Sequence, residues 1–295
     1  SLVGSEMCIR DRREAYGQII PDAVRTAYGA MSYIKAATGN KFVVIIDEWD
    51  VLIRDEAQNH TLQEAYIDFL RGMFKGTEPS RYIALAYLTG ILPIKKYGTH
   101  SALNMFDEFS MIAPGPLACY VGFTEQEVKK LCEQYGMDME EVKNWYDGYS
   151  FSMAASVYSP RSVVNSMLFG KIENYWNQTE TYEALKSYIK LNFDGLKDAV
   201  VRMLAGDKVQ INTGTFSNDM TMFQNRDDVL TLLVHLGYLS YHWMDKTVSI
   251  PNKEVPQEYV NAISTMDWHE VIDSVEASKK LLESTTTERQ KRIRV

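Results

Sequence analysis

Phe42-Val43-Val44-Ile45-Ile46 is an unbroken apolar run that ends abruptly in Asp47-Glu48-Trp49-Asp50. Val43 to Ile46 are all β-branched, and such side chains suit a pleated surface. A run without polar alternation offers neither face to water. It therefore predicts a strand buried on both faces, as in a parallel sheet. Tyr82 to Leu88 is a second strand candidate of this kind, ending in Thr89-Gly90. Between the two, Leu62 to Phe74 carries Leu62, Ala65, Tyr66, Phe69, Leu70 and Phe74 at helical spacing, and Thr77-Glu78-Pro79-Ser80 breaks the chain. Ahead of both, Ala23 to Ala37 repeats Val24, Ala27, Met31 and Ile34, and Thr38-Gly39-Asn40-Lys41 stops it with residues that tolerate a left-handed cap. Helix, strand, helix, strand is the βαβ rhythm of an α/β domain. Two strands are too few for a finished sheet, so further strands are expected upstream.

Ala113-Pro114-Gly115-Pro116 marks a boundary, because two prolines around a glycine continue neither a helix nor a central strand. Beyond it the pattern turns mainly helical. Thr124-Glu125-Gln126-Glu127 has capping-box spacing for a helix that Gly136 ends. Glu140 to Tyr146, Ser162 to Phe169, Glu180 to Ile189 and Gly195 to Leu204 read as further helices. Asp227 to Leu236 is a helix followed by Gly237 to Trp243, a turn at Met244-Asp245-Lys246, and Thr247 to Pro251. A helix followed by a β-hairpin is the layout of a winged-helix tip, and Asn252 to Ile263 then returns to helix.

Strand-end carboxylates carry the chemistry. A Walker-B strand places an Asp at the carboxyl edge of a buried parallel strand, where it orients Mg²⁺ against the phosphates of ATP. A following Glu can polarise the attacking water. Asp47 and Glu48 stand where those roles require, which makes Asp47 the candidate metal-facing residue and the two acids the candidate catalytic pair. Thr89, at the end of the second strand, is the candidate nucleotide-binding side chain, able to reach a γ-phosphate or the water. A strand simply emerging into solvent would also end in acids, so the pattern alone leaves both readings open. The partner motif G-x-x-x-x-G-K-[ST], whose amides cradle phosphate, does not occur: Gly39-Asn40-Lys41, Gly170-Lys171-Ile172 and Gly206-Asp207-Lys208 fail its spacing or its hydroxyl.

Other chemistries find less support. The histidines His60, His100, His235, His242 and His269 are dispersed without metal-ligand spacing. Cys8, Cys119 and Cys132 form neither a metal-spaced pair nor a disulfide framework, which fits a reducing, cytoplasmic setting. Asp47, Glu48 and Asp50 could imitate a metal cluster, with charge at a strand end as the plainer reading. Trp145-Tyr146-Asp147-Gly148-Tyr149 is aromatic enough for base stacking, but its flanks are not basic, and packing around a turn is the simpler account. No apolar run is long enough to cross a bilayer. The net charge is −8; the last eight residues carry four basic groups and one acid, a net +3 that leaves −11 on the rest. A body that acidic is a poor binder of phosphate backbones, so charge does not support nucleic acid as a partner.

The motifs, taken in order, resemble the bacterial AAA-ATPase-like proteins that often carry a PD-(D/E)XK nuclease-like domain at the C-terminus. The resemblance rests on Ile45-Ile46-Asp47-Glu48-Trp49-Asp50, Leu88-Thr89-Gly90-Ile91-Leu92-Pro93-Ile94, Ser101-Ala102-Leu103-Asn104 and Gly122 to Val128. It continues through Trp145-Tyr146-Asp147-Gly148-Tyr149, Val157-Tyr158-Ser159-Pro160, Tyr175-Trp176-Asn177-Gln178-Thr179, Gly237-Tyr238-Leu239 and Ile250 to Val255. It covers about residues 14–283.

This resemblance implies an α/β fold, then mostly α: a truncated P-loop NTPase-like parallel sheet, a helical lid and a winged-helix-like segment. The expected divisions are 13–113 for the partial ATPase-like domain, 117–225 for the lid region and 226–283 for the winged-helix-like segment. Residues 1–12 resemble a translated sequencing adaptor, and 284–295 form a basic tail at a truncated or frame-shifted end. The family's Arg-rich loop ending in Gly-Lys-Thr and its nuclease-like domain are not in these residues. The resemblance therefore implies a fragment of an ATP-binding switch protein. ATP and Mg²⁺ are its cofactors in the intact protein, and their binding here is expected to be weak or absent. The alternative from another class is a non-catalytic module that docks a protein partner or DNA through the winged-helix-like segment.

Overall fold

The computed structural model describes residues 15–56, 58–92, 103, 105–176, 182–216 and 223–264. The expectations for residues 1–12 and 284–295, for the end of the winged-helix-like segment past 264, and for His100, His269 and Cys8 lie outside them. So do those for Pro93-Ile94, Ser101-Ala102 and Asn177-Gln178-Thr179. The described residues fall into two units, those up to 108 in one and those from 109 on in the other. It is mixed α/β, and its sheets are small.

In the first unit, α1 spans Ala27–Thr38. The Thr26 hydroxyl caps it by accepting from Gly29 N at 3.2 Å. Gly39, at φ 79, closes it in the left-handed conformation expected of it. Strand β1, Phe42–Ile46, pairs in parallel with β2, Ile83–Leu88, in a register that sets Val43 beside Leu85 and Ile46 beside Leu88. A parallel pair needs a crossover connection. Here it consists of α2 (Val51–Asp55), α3 (His60–Phe74) and α4 (Pro79–Tyr82). Helix α3 buries Tyr66, Ile67, Leu70, Met73 and Phe74 at helical spacing. Each such side chain contributes about 2 kcal/mol from apolar burial.

The expectation that both faces of the pair are buried is corrected. Phe42, Val44 and Ile46 are half-buried, whereas Val43 and Ile45 are 60% and 69% exposed and their neighbours Leu85 and Tyr87 are 57% and 52% exposed. Successive strand residues point to opposite faces. An apolar run equips both faces for burial, but a second layer must be present to bury them, and the described chain covers one.

In the second unit a 3₁₀ turn over Gly115–Tyr120 precedes β3, Phe123–Thr124, which runs into α5, Glu125–Tyr135. The predicted capping box is formed: Thr124 N and Oγ1 donate to Glu127 Oε2 at 2.8 and 2.7 Å. Those two donors hold the Glu127 carboxyl below its usual range. Helix α6 spans Met139–Tyr146, and the hairpin β4 (Tyr149–Phe151) and β5 (Ala154–Tyr158) follows it. Together with β3 they make an antiparallel sheet of order β3-β5-β4. The helical region expected here thus contains a sheet. Its strands run two to five residues, too short to show a period beside the stronger helical signals.

Helix α7 spans Pro160–Phe169, with its proline in the first turn, where no amide partner is lost. Then come α8 (Tyr182–Ile189), α9 (Leu196–Leu204), β6 (Val209–Gln210), α10 (Arg226–His235), β7 (Ser240–His242), β8 (Thr247–Ser249) and α11 (Pro256–Ser264). The hairpin β7–β8 forms as the sequence predicts. Its sheet takes a third strand from β6, in the order β6-β8-β7. Every residue of α10 from Asp228 to His235 is buried, so this helix is the centre of the unit's core rather than an amphipathic cover. Leu185, Ile189, Leu196, Val200 and Tyr259 are buried in the same cluster.

Candidate functional site

The carboxyl ends of β1 and β2 lie side by side, because the strands are parallel and in register there. Thr89 N donates to Ile46 O at 2.9 Å and Trp49 N donates to Thr89 O at 2.8 Å, so the ladder continues one step past both strands. This brings the three predicted site residues together. The Thr89 hydroxyl donates to Asp47 Oδ1. Glu48 N points at both groups, 3.1 Å from Asp47 Oδ1 and 3.4 Å from Thr89 Oγ1. Glu48 has φ 51, a left-handed conformation that costs a non-glycine residue about 1 kcal/mol. Both acids are exposed.

Behind them sits a layer that the sequence reading did not assign. Asp50 is 0% exposed. Its Oδ2 accepts from Ile91 N at 3.1 Å and Leu92 N at 2.8 Å, which fixes the turn that follows β2. Arg54, one helical turn later, sets its Nε 3.3 Å from Asp50 Oδ2 and its guanidinium 3.6 Å from Glu48 Oε2. Trp49 is buried and donates Nε1–H to Leu92 O at 3.2 Å. A Cβ on Gly90 would fall 2.5 Å from the Trp49 ring and 2.6 Å from Asp50 Oδ1, so only glycine fits this approach. Burial, with the field of Asp50 added, pushes the Tyr66 hydroxyl up to about 12. The available signal was the fourth residue of Asp47-Glu48-Trp49-Asp50: an acid one turn before an Arg, with Thr89-Gly90 closing the next strand.

Exposed carboxylate oxygens suit a hard cation. Among the described residues no group of three or more His, Cys, Asp or Glu is placed to hold a metal ion unaided. Nor is any helix among them long and apolar enough to cross a membrane. Cys119 and Cys132 are free thiols, and burial pushes that of Cys132 up.

Residues 16–99 match the family model described as Predicted AAA-ATPase. This AAA-ATPase-like match includes both parallel strands and every strand-end group above. Over 222 residues the chain is also 28% identical to an uncharacterized protein in the vnfD 5' region of Azotobacter chroococcum mcd 1, an alignment that covers 73% of this chain. The chain spans about 40% of that relative's length. No solved structure matches it.

Four further stretches of the AAA-ATPase-like resemblance, around Tyr146, Tyr175, Gly237 and Glu254, meet within the second unit. Tyr146 Oη donates to Glu173 O at 3.0 Å, and Tyr149 Oη donates to Gly237 O at 2.5 Å. Gly148, at φ 133, lies directly against Pro251 O. Buried Glu254 accepts from Tyr175 N at 2.9 Å, while its own carbonyl accepts from Asn174 Nδ2 at 3.0 Å. Tyr146 and Tyr149 thus sit in a hydrogen-bonded core, in keeping with the packing account of this aromatic run.

Proposed function

We propose that the strand-end cluster is the metal- and water-facing half of an ATP site in an AAA-ATPase-like switch protein. The observation that carries this reading is the convergence of Asp47, Glu48 and Thr89 at the carboxyl ends of two adjacent parallel strands, where open α/β sheets receive their ligands. The strained backbone at Glu48 supports it, since such conformations gather at functional sites. Mg²⁺ fits the donor set, because it takes one or two carboxylates and completes its shell with waters and phosphate oxygens. Bound there, the Mg-nucleotide supplies the phosphoryl group and the charge that neutralises it. Asp47 would hold the metal, and Thr89 fixes the Asp47 carboxylate with its hydroxyl. Glu48, exposed and one residue on, is the group able to take a proton from water.

The affinity supplied by these 295 residues is expected to be weak, because the sequence has no Gly-Lys-Ser/Thr phosphate loop. The test is therefore amide NMR with Mg-ATP at millimolar concentration. Signals of Glu48, Trp49 and Thr89 are expected to move, and Asp47→Asn is expected to remove the Mg²⁺ dependence of the movement. Shifts confined to other residues would overturn the reading.

A second reading is an interaction module in the second unit. It is supported by the succession α9, β6, α10, β7, β8 with sheet order β6-β8-β7, which is winged-helix-like, and by the exposed hairpin tip. There Trp243 and Met244 are 50% and 81% exposed. Binding to duplex DNA that weakens steeply with salt would favour it.

A further inference from the structure

Asp47 and Thr89 join the two strand ends directly. A second, longer connection runs between the same two ends. It begins at the Glu48 carboxylate, which is 66% exposed, and passes to the Arg54 guanidinium at 3.6 Å. It continues from Arg54 Nε to Asp50 at 3.3 Å, and ends on the amides of Ile91 and Leu92. Its inner half is rigid. Asp50 is wholly buried and holds the Ile91 and Leu92 amides. The outer half can move, since Glu48 faces solvent and a half-exposed ion pair is held by little more than geometry. Arginine suits the junction because its planar fork addresses two carboxylates at once, which a lysine point charge does not.

We propose that Arg54 is a positioning residue: it sets the direction of the Glu48 carboxylate and couples that carboxylate, through Asp50, to the turn after β2. Glu48 follows β1 on a left-handed backbone, and its carboxylate lies 3.6 Å from the Arg54 guanidinium of α2. Arg54 receives it there. A ligand that draws Glu48 away releases one arm of the guanidinium, and the load on Asp50 and on the Ile91 and Leu92 amides changes. The functional meaning of the coupling rests on the proposed nucleotide reading, whereas the coupling itself needs no nucleotide.

The test is a coupling experiment on the ¹⁵N-labelled chain without nucleotide. Glu48→Gln removes the charge that Arg54 holds, and it is expected to shift the amide signals of Ile91 and Leu92. In an Arg54→Gln or Arg54→Lys background the same substitution is expected to leave those two signals in place. Arg54 is partly buried on a short helix, and Arg54→Lys keeps its charge and stem, so the fold is retained in at least that background. Equal shifts in all backgrounds would mean that the effect travels by the backbone or the field, and would overturn the proposal. So would the absence of any shift on Glu48→Gln. Neither result bears on Mg-ATP binding, which the titration above decides independently.

Discussion

Gly90 and Trp49 are fitted to one another: a single added carbon on Gly90 would stand 2.5 Å from the indole ring. The strand-end site owes its rigidity to this approach. Trp49 cannot retreat, because its indole N–H is committed to Leu92 O, and Asp50 cannot, because it holds two amides of the same turn. Gly90→Ala is therefore expected to destabilise the first unit by about 2 kcal/mol through overpacking. Urea unfolding followed at the assigned indole N–H signal of Trp49 by NMR measures it. A loss within experimental error would show that the turn can shift freely.

Asp50 joins a buried carboxylate to a cation and two backbone donors. Asp50→Ala leaves Arg54 without its inner partner and the Ile91 and Leu92 amides without an acceptor. The expected cost is about 3 kcal/mol, the range for breaking a buried pair from one side. Asp50→Asn keeps one oxygen acceptor and is expected to cost less. Equal losses for the two variants would assign the whole effect to the missing charge.

Glu254 gives the second unit a pH dependence of calculable sign. Burial raises its carboxyl above the ordinary 4.5, against the lowering effect of the donors from Tyr175, Ser162 and Trp176. Burial alone raises Glu258 in the same direction. A raised folded-state value means that the folded chain holds the proton more tightly than the unfolded one. The contribution is then complete below the ordinary value and is lost as pH rises through the raised one. Glu254→Gln keeps an acceptor for Tyr175 N and cannot ionise. Thermal midpoints measured from about pH 4 to pH 7 should therefore fall less with rising pH in Glu254→Gln than in the parent chain. Parallel curves would show that Glu254 ionises in the folded chain as easily as in the unfolded one.

Much of the chain's local structure was legible because local chemistry decides it. Thr124 and Glu127 form a capping box since both partners lie within one turn. Gly39 ends α1 because it alone there enters the left-handed region freely. The hairpin β7–β8 and its turn at Met244-Asp245-Lys246 were legible from two short runs set on either side of a turn signal. The sheet β3-β5-β4 was not, because strands this short carry no period, and β3 joins it only by pairing with β5 more than thirty residues on.

For the site, the sequence determined the kinds of groups: acids after a β-branched run, and a threonine after a second one. Spacing could place each at a strand end but could not say that the ends are neighbours. Tertiary structure decided that, by pairing β1 with β2 in parallel, so that the Thr89 hydroxyl reaches Asp47 across forty-two positions of chain. It also decided what spacing could not separate: Asp50, three residues beyond Asp47, is buried and structural, while Asp47 and Glu48 face solvent. The physical reason is the turn at Glu48. Its positive φ sends the chain back over the strand end, and the acids on either side of that turn fall in different solvents.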